Sequence, residues 1–330
     1  MKAIQITETG GPEVLKYVDL PTPRPGPGEV LVQAHAIGVC MPETLVRKGL
    51  YPWMPPLPAI PGIEMSGTVV EAGAGCTRLA VGQPVFVCAR EFKERSNCYA
   101  EYIAGPEDRI YAVPEGVDLD QVAGLANYQV AWHLLNSALK GYQYQSVLIV
   151  AAAGGVGTAL VQLAKGYGKQ VIGVTSSPER AAFARAQGAD ATVDRRQGSV
   201  VEQTLALTGG RGVDLIIDCV GGPHMTELFA ALDRFGMLLL YGRLEGPASG
   251  NIHDAIHRKP WRSGAFRYFT MHTLDDWPEL RARCTHDLLR LMSAGEISVP
   301  IYARVPLAEA PRAHRLFESG AVMGKLIMKP

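Results

Sequence analysis

The period of apolar and polar positions changes along the chain, and the changes mark its organisation. Through about residue 120 the apolar positions alternate with polar ones or gather in short runs, at 1–6, 29–36, 68–72 and 85–87. Turn chemistry separates them, at Pro25-Gly26-Pro27-Gly28, Pro61-Gly62 and Ala74-Gly75. Alternation bounded by such turns predicts a β-rich region. From about Gln121 to residue 265 the texture becomes one of apolar runs alternating with helical periodicity. Strands are predicted at 147–151, 170–175, 213–219 and 237–241, and helices at 157–167, 179–187, 200–207 and 224–235. That order predicts a parallel sheet covered by helices on both faces. The last stretch reverts. A helix at 277–293 places Leu280, Cys284, Leu288 and Leu291 on one stripe, followed by a segment at 297–305, a short helix at 307–318 and an apolar strand at 325–328. The tail is expected to return to the first domain. The fold class is therefore α/β, with one discontinuous domain at 1–122 and 266–330 and an inserted doubly wound domain at 123–265.

The segment from Ser146 to Gly157, S-V-L-I-V-A-A-A-G-G-V-G, carries the strongest chemical signal. An apolar run ends in a glycine turn, and the turn opens an amphipathic helix with Leu160, Leu163, Ala164 and Tyr167 at helical spacing. The motif is A-x-G-x-x-G, formed by Ala152, Gly154 and Gly157, and the strand at 170–175 completes a βαβ unit. Gly154 is read as the turn, Gly155 and Val156 as donors of backbone N–H groups, and Gly157 as the point where helix and strand approach closely. A helix N-terminus of this kind favours the negative charge of a pyrophosphate.

The 330 residues suit two domains, and 32 basic residues balance 32 acidic ones. No nucleic acid or anionic membrane is expected as the main partner. No apolar run reaches membrane-spanning length. The opening Met1-Lys2-Ala3-Ile4-Gln5-Ile6 reads as a strand rather than a signal peptide. Six cysteines, Cys40, Cys76, Cys88, Cys98, Cys219 and Cys284, show no C-x-x-C spacing. That argues against a zinc lobe or a disulfide framework and for a reducing, cytoplasmic compartment.

Ordered matches run through the whole chain. They include Gly10-Gly11-Pro12-Glu13, Pro25-Gly26-Pro27-Gly28-Glu29-Val30-Leu31-Val32, Pro61-Gly62-Ile63-Glu64-Met65-Ser66-Gly67, Tyr99-Ala100-Glu101-Tyr102 and Ala151-Ala152-Ala153-Gly154-Gly155-Val156-Gly157. With these the chain resembles the medium-chain dehydrogenase/reductase superfamily. Within it, the chain is most similar to the zinc-independent NADPH:quinone oxidoreductase branch, the zeta-crystallin-like proteins. The resemblance implies a GroES-like catalytic domain plus a Rossmann domain, with substrate in the cleft between them. It also implies a homodimer formed by strand pairing at the Rossmann sheet edge, for which 237–240 and Ala265-Phe266 are candidates.

Zinc enzymes of the superfamily carry a cysteine after G-V and a histidine in G-H-E. Here Cys40 stands at the first position, but the second reads Gly62-Ile63-Glu64. Three protein ligands are needed for catalytic zinc, so no metal is expected. Cys40 is read instead as a neutral thiol of the substrate pocket, together with Trp53, Glu64 and Asn127. The pair His253 and His257 has metal-ligand spacing on a helix but lacks a third partner, and a solvated face is the simpler reading.

After the strand at 170–175 no acid follows directly. Ser176, Ser177 and then Arg180 suit a 2′-phosphate, which points to NADPH rather than NADH. Arg195 and Arg196 either add to this or form a solvated pair. From the resemblance, Gly221, Tyr241, Gly242 and Lys325 join the cofactor set, with an exposed lysine as the plain alternative for Lys325.

Tyr51, in Gly49-Leu50-Tyr51-Pro52, is the candidate catalytic donor. A phenol stays protonated at neutral pH and can donate to an enolate. The alternative is a loop aromatic packed on Pro52 or Trp53. The segment 90–98 is charged and reads either as a rim of the substrate entrance or as a solvated loop. The expected activity is transfer of hydride to a quinone or α,β-unsaturated carbonyl. Two alternatives stay open: reduction of an enoyl-thioester or specialised biosynthetic double bond, and NADPH binding with little turnover in a structural or interaction role.

Overall fold

The computed structural model describes residues 1–247 and 250–330. The chain forms two compact units, one of Met1–Gln129 with Trp277–Pro330, the other of Val130–Asp276.

The first unit opens with β1 (Lys2–Gln5) and β2 (Lys16–Asp19), paired antiparallel. Then come β3 (Glu29–Val39), β4 (Glu64–Ala72), β5 (Pro84–Cys88), β6 (Tyr102–Pro106) and β7 (Ile110–Ala112). The second unit contributes β8 (Ser146–Ile149), β9 (Gln170–Thr175), β10 (Ala191–Asp194), β11 (Val213–Asp218), β12 (Leu232–Leu240) and β13 (Ala265–Tyr268). The chain then returns to the first unit through the helix Pro278–Ser293 and adds β14 (Ile301–Pro306) and β15 (Lys325–Lys329).

In the first unit the sheet order is β14-β15-β3-β4-β5-β7, with β6 also paired to β3. Its core is built from alternate positions such as Val30, Val32, Ile37, Met65, Val85 and Val87, all essentially inaccessible. Strand register sets which side chains meet at the sheet's end. Leu326 faces Val39, Ile37 faces Met65, and Glu64 faces Cys88. Thus the end of β3, the start of β4, the end of β5 and the start of β15 lie at one end of the sheet, and Cys40, Glu64, Cys88 and Lys325 share it.

In the second unit the sheet is parallel throughout, in the order β10-β9-β8-β11-β12-β13. The order reverses at β8 and β11, and the carboxyl ends of strands beside such a switch point form a natural ligand crevice.

The structure corrects three expectations. The helix expected at 224–235 is confined to Met225–Leu228 and a single turn, Phe229–Ala231, before β12 begins at Leu232. Leu232 pairs with Val213, and a register shift precedes the Met237–Leu215 pairing, so sheet pairing overrides the local helical period. The segment 237–240 is therefore interior, between β11 and β13, and the edge strand is β13. Because β13 pairs with β12, the second unit extends to Asp276 rather than ending at 265. The helix Leu125–Asn136 has no counterpart in the sequence pattern: it is buried on nearly all sides and so shows no polar stripe.

Candidate active site

Cys40 follows β3 and sits at the N-terminus of the short helix Met41–Arg47. Its N–H donates to Glu43 Oε2 at 3.0 Å, and Glu43 Oε1 accepts from Ile63 N at 3.0 Å. Glu43 thereby fastens the end of β3 to the approach to β4. Glu64, completely buried, is bound on both oxygens. Oε2 accepts from Ala126 N at 2.7 Å, and Oε1 accepts from the Cys40 thiol at 3.0 Å and from the Lys325 ammonium. Lys325 Nζ also donates to Cys40 Sγ at 2.9 Å. Asn127 reaches the same sulfur only weakly, at 4.0 Å.

Packing makes this cluster tight. A Cβ on Gly38 would lie 2.4 Å from Glu64 Oε1 and from Ala123 O, so only glycine allows the approach. Burial opposes the Lys325 charge, but Cys40 and Glu64 outweigh it and hold the ammonium's pKa above the ordinary lysine value. Burial, then the Glu64 charge, pushes the Cys40 thiol far up despite Lys325. At neutral pH Lys325 is therefore an ammonium and Cys40 a neutral thiol. The sequence reading placed Lys325 with the cofactor set or on the surface. The structure places it, 1% exposed, as the counter-charge that burial of Glu64 requires. Glu64 lies beneath the surface rather than lining a pocket.

Tyr51 is half-buried against the core of the first unit, and its ring meets Trp53 at 6.1 Å and a 58° tilt. Trp53 itself is 44% exposed. The packing alternative for Tyr51 is thus realised without removing it from this end of the sheet. Arg90, two residues beyond Cys88, reads in the sequence only as part of a charged segment. It is buried, and its field neighbours are Cys88, Tyr51, Cys40 and Glu64. Its position at the end of an apolar strand is the one sequence signal that distinguishes it from the exposed Lys93 and Glu94.

Burial also raises Cys88, to about 12, and Cys98 and Cys284 well above the usual thiol value. The native state holds these protons while an unfolded thiol loses its own near pH ~8.5. The stability this contributes is complete below that pH and declines as pH rises towards the folded values. The urea midpoint should be level between about pH 7 and 8 and fall progressively above about pH 9. A midpoint constant to about pH 10.5 would contradict these shifts.

In the second unit β8 leads into the helix Gly155–Gly166, whose first N–H groups face the turn. The left-handed residue of that turn is Ala151, at φ 57°, and not Gly154, which is extended at φ −79°. Gly157 is required sterically: a Cβ there would lie 2.2 Å from Ala151 O and 2.8 Å from Ala152 Cα. The turn and the helix start thus present backbone N–H groups of the kind that meet a pyrophosphate. Ser176 follows β9, and Ser177 caps the helix Pro178–Ala186 by accepting from Arg180 N at 3.3 Å. This puts Arg180 in the first turn beside Ser176. Arg195 follows β10 and pairs with Glu245 at 3.3 Å on the surface. Asp218, at the end of β11, accepts from Val220 N at 2.7 Å and Gly221 N at 3.2 Å. Tyr241 N donates to Asp218 O, and Gly242 packs against Cys219. All of these stand at the carboxyl ends of the parallel strands. His253 and His257 stack on an exposed helix face at 4.1 Å.

Comparison with known proteins agrees with both units. Residues 26–115 match the alcohol dehydrogenase GroES-like domain and residues 155–285 the zinc-binding dehydrogenase model. The quinone oxidoreductase of Pseudomonas aeruginosa is 34% identical over 100% of this chain and 99% of its own length. The chain belongs to the medium-chain dehydrogenase/reductase superfamily, in its quinone oxidoreductase branch. The quinone oxidoreductase of Escherichia coli, solved as a complex with NADPH, superposes with a TM-score of 0.89 at 28% identity, covering all of both chains. A quinone oxidoreductase of Pseudomonas syringae pv. tomato gives 0.88 at 31%, covering 100% of this chain and 99% of that one.

One of the family models is named for zinc, so the fit of a zinc ion to these residues matters. Cys40 offers a thiol, Ile63 offers nothing, and both Glu64 oxygens are engaged. The Lys325 ammonium, bonded to Cys40 and Glu64 alike, puts a positive charge where a second cation would need to sit. Among the described residues no group of three or more His, Cys, Asp or Glu is placed to hold a metal. A zinc ion does not fit here.

Proposed function

We propose that this protein is an NADPH-dependent oxidoreductase that reduces a quinone or an α,β-unsaturated carbonyl without a metal. The observation that carries the reading is the glycine cradle at the N-terminus of the helix Gly155–Gly166, in a chain whose relatives over full length are quinone oxidoreductases, one of them solved with NADPH. Ala152, Gly154, Gly155, Val156 and Gly157 hold the pyrophosphate, Ser176 and Arg180 take the 2′-phosphate, and Gly221, Tyr241 and Gly242 line the crevice. NADPH, when bound, supplies the hydride. The chain's own task is to hold the acceptor, exclude water and satisfy the oxygen that becomes negative. Zinc independence is supported by Lys325, whose ammonium already stands between Cys40 and Glu64.

Tyr51 is the proposed proton donor, with Cys40, Trp53 and Asn127 in the pocket and Glu64 beneath it. An enone leaves an enolate that needs a proton, whereas a reduced quinone is protonated by water with ease. Tyr51→Phe should therefore lower kcat for 2-cyclohexenone by about 100-fold and affect 1,4-benzoquinone far less. Loss of reduced-nicotinamide absorbance checks this, and equal effects on both acceptors would reduce Tyr51 to a packing role. Absence of NADPH oxidation with either acceptor, with NADPH still bound, would remove the enzymatic reading.

The proposed assembly is a homodimer through β13. That edge strand presents open backbone groups, and Tyr268, Phe235 and Trp261 are 60%, 73% and 70% exposed. Light scattering should give twice the chain mass; the monomer mass at micromolar concentration would refute it. No helix among the described residues is long and apolar enough to cross a membrane. The six free cysteines suit the cytoplasm, the proposed location.

A further inference from the structure

Arg90 is a charged group near the proposed reaction centre that the Cys40, Glu64 and Lys325 cluster does not use. It lies in the single turn Ala89–Glu91 directly after β5, at the sheet end shared by those three residues. The residue is 8% exposed, and its Nη1 is buried without a hydrogen-bond partner. A buried guanidinium with an unpaired nitrogen is costly, and such a group calls for a partner.

The surrounding groups do not complete it. Its neighbours Cys88, Tyr51 and Cys40 are thiols and a phenol. Cys88 and Cys40 are held protonated by burial, so neither supplies a negative charge at neutral pH. Glu64, the remaining neighbour, is already bound by Lys325, Cys40 and Ala126. The carboxylate of Glu91, next in the chain, is engaged by other residues. Its Oε2 accepts from Tyr111 at 2.6 Å, and Arg281 and Arg109 act on it more strongly than Arg90 does.

We propose that Arg90 is a specificity residue that pairs with a carboxylate on the acceptor, so that the preferred substrates are anionic, carboxylate-bearing enones or quinones. This deepens the reductase reading and rests on it. A guanidinium offers two parallel N–H groups in the geometry a carboxylate accepts, and in a buried site such a pair discriminates strongly against a neutral analogue. With Tyr51 beside it, Arg90 would hold the carboxylate end while the conjugated system lies towards the phenol.

The test compares an acid with its methyl ester, (E)-4-oxo-2-pentenoate against methyl (E)-4-oxo-2-pentenoate, which share one reacting double bond. The native protein should show kcat/KM higher for the acid by about tenfold or more. In Arg90→Met the acid-to-ester ratio should fall by about the same factor, and Arg90→Lys should recover part of it. Native turnover of the ester with no preference for the acid would overturn the Arg90 inference and leave the reductase reading standing. An equal loss for both acceptors in Arg90→Met would overturn it too, placing Arg90 on the carbonyl oxygen or in the scaffold. Failure of acid, ester and 1,4-benzoquinone together would remove both readings. Should Arg90→Met not fold, the native protein decides alone: 4-oxopentanoate should inhibit ester turnover at about a tenth of the concentration that methyl 4-oxopentanoate requires, and equal inhibition would overturn the inference.

Discussion

Gly157→Ala should weaken NADPH binding by about 100-fold while the protein remains folded. The added carbon would lie 2.2 Å from Ala151 O and 2.8 Å from Ala152 Cα, both backbone atoms. Neither can swing aside as a side chain would, so the helix start must move away from the strand. A shift of that kind costs roughly 1–3 kcal/mol. It also displaces the N–H groups of Gly155 and Val156 from the place where the pyrophosphate is to be met, and binding suffers more than stability does. Titration of NADPH fluorescence measures the affinity, and circular dichroism confirms that the fold persists. An affinity within about threefold of the native protein would show that the cradle is not the cofactor site.

Lys325→Met should destabilise the protein by about 3–5 kcal/mol, the usual consequence of leaving one partner of a buried ion pair alone. Glu64 is fully inaccessible, and its Oε1 would keep only the Cys40 thiol as a donor. The double variant Glu64→Gln with Lys325→Met should recover part of the loss, because the amide carries no charge to strand. Thermal melting of the two single variants and the double gives the coupling directly. A loss below about 1 kcal/mol in Lys325→Met would mean that the pair contributes little beyond packing. The same comparison bears on metal affinity, since removing the ammonium removes the repulsion that keeps a cation from Cys40 and Glu64.

Particular residues show what could be read beforehand. The run from Ser146 to Gly157 announced a strand, a turn and a helix because each constraint acts within a few residues. Even there the left-handed residue of the turn is Ala151, a position the glycine pattern does not mark. The placement of Ser176 and Arg180 was legible for the same reason: a strand end, a capping serine and the first helical turn are neighbours in sequence as in space. The helix expected over 224–235 failed because its apolar period was real but β12 could pair with β11 from Leu232 onwards. A helix buried on nearly all sides, Leu125–Asn136, carried no polar stripe to betray it, and with it went the expectation of what holds Glu64 through Ala126.

By itself the sequence determined the parallel α/β unit, the glycine cradle and the return of the tail to the β-rich unit, since these arise from local periodicity and turn chemistry. Only the tertiary structure decided which charges are buried and with whom they pair. Lys325 and Glu64 are 261 residues apart, and no local pattern links them. Arg90 belongs to a charged stretch that reads as a rim or a solvated loop, yet the turn after β5 buries it near Tyr51 and Cys40. Burial converts such distant pairs into obligations, because a charge removed from water must find its partner wherever the sheet brings one.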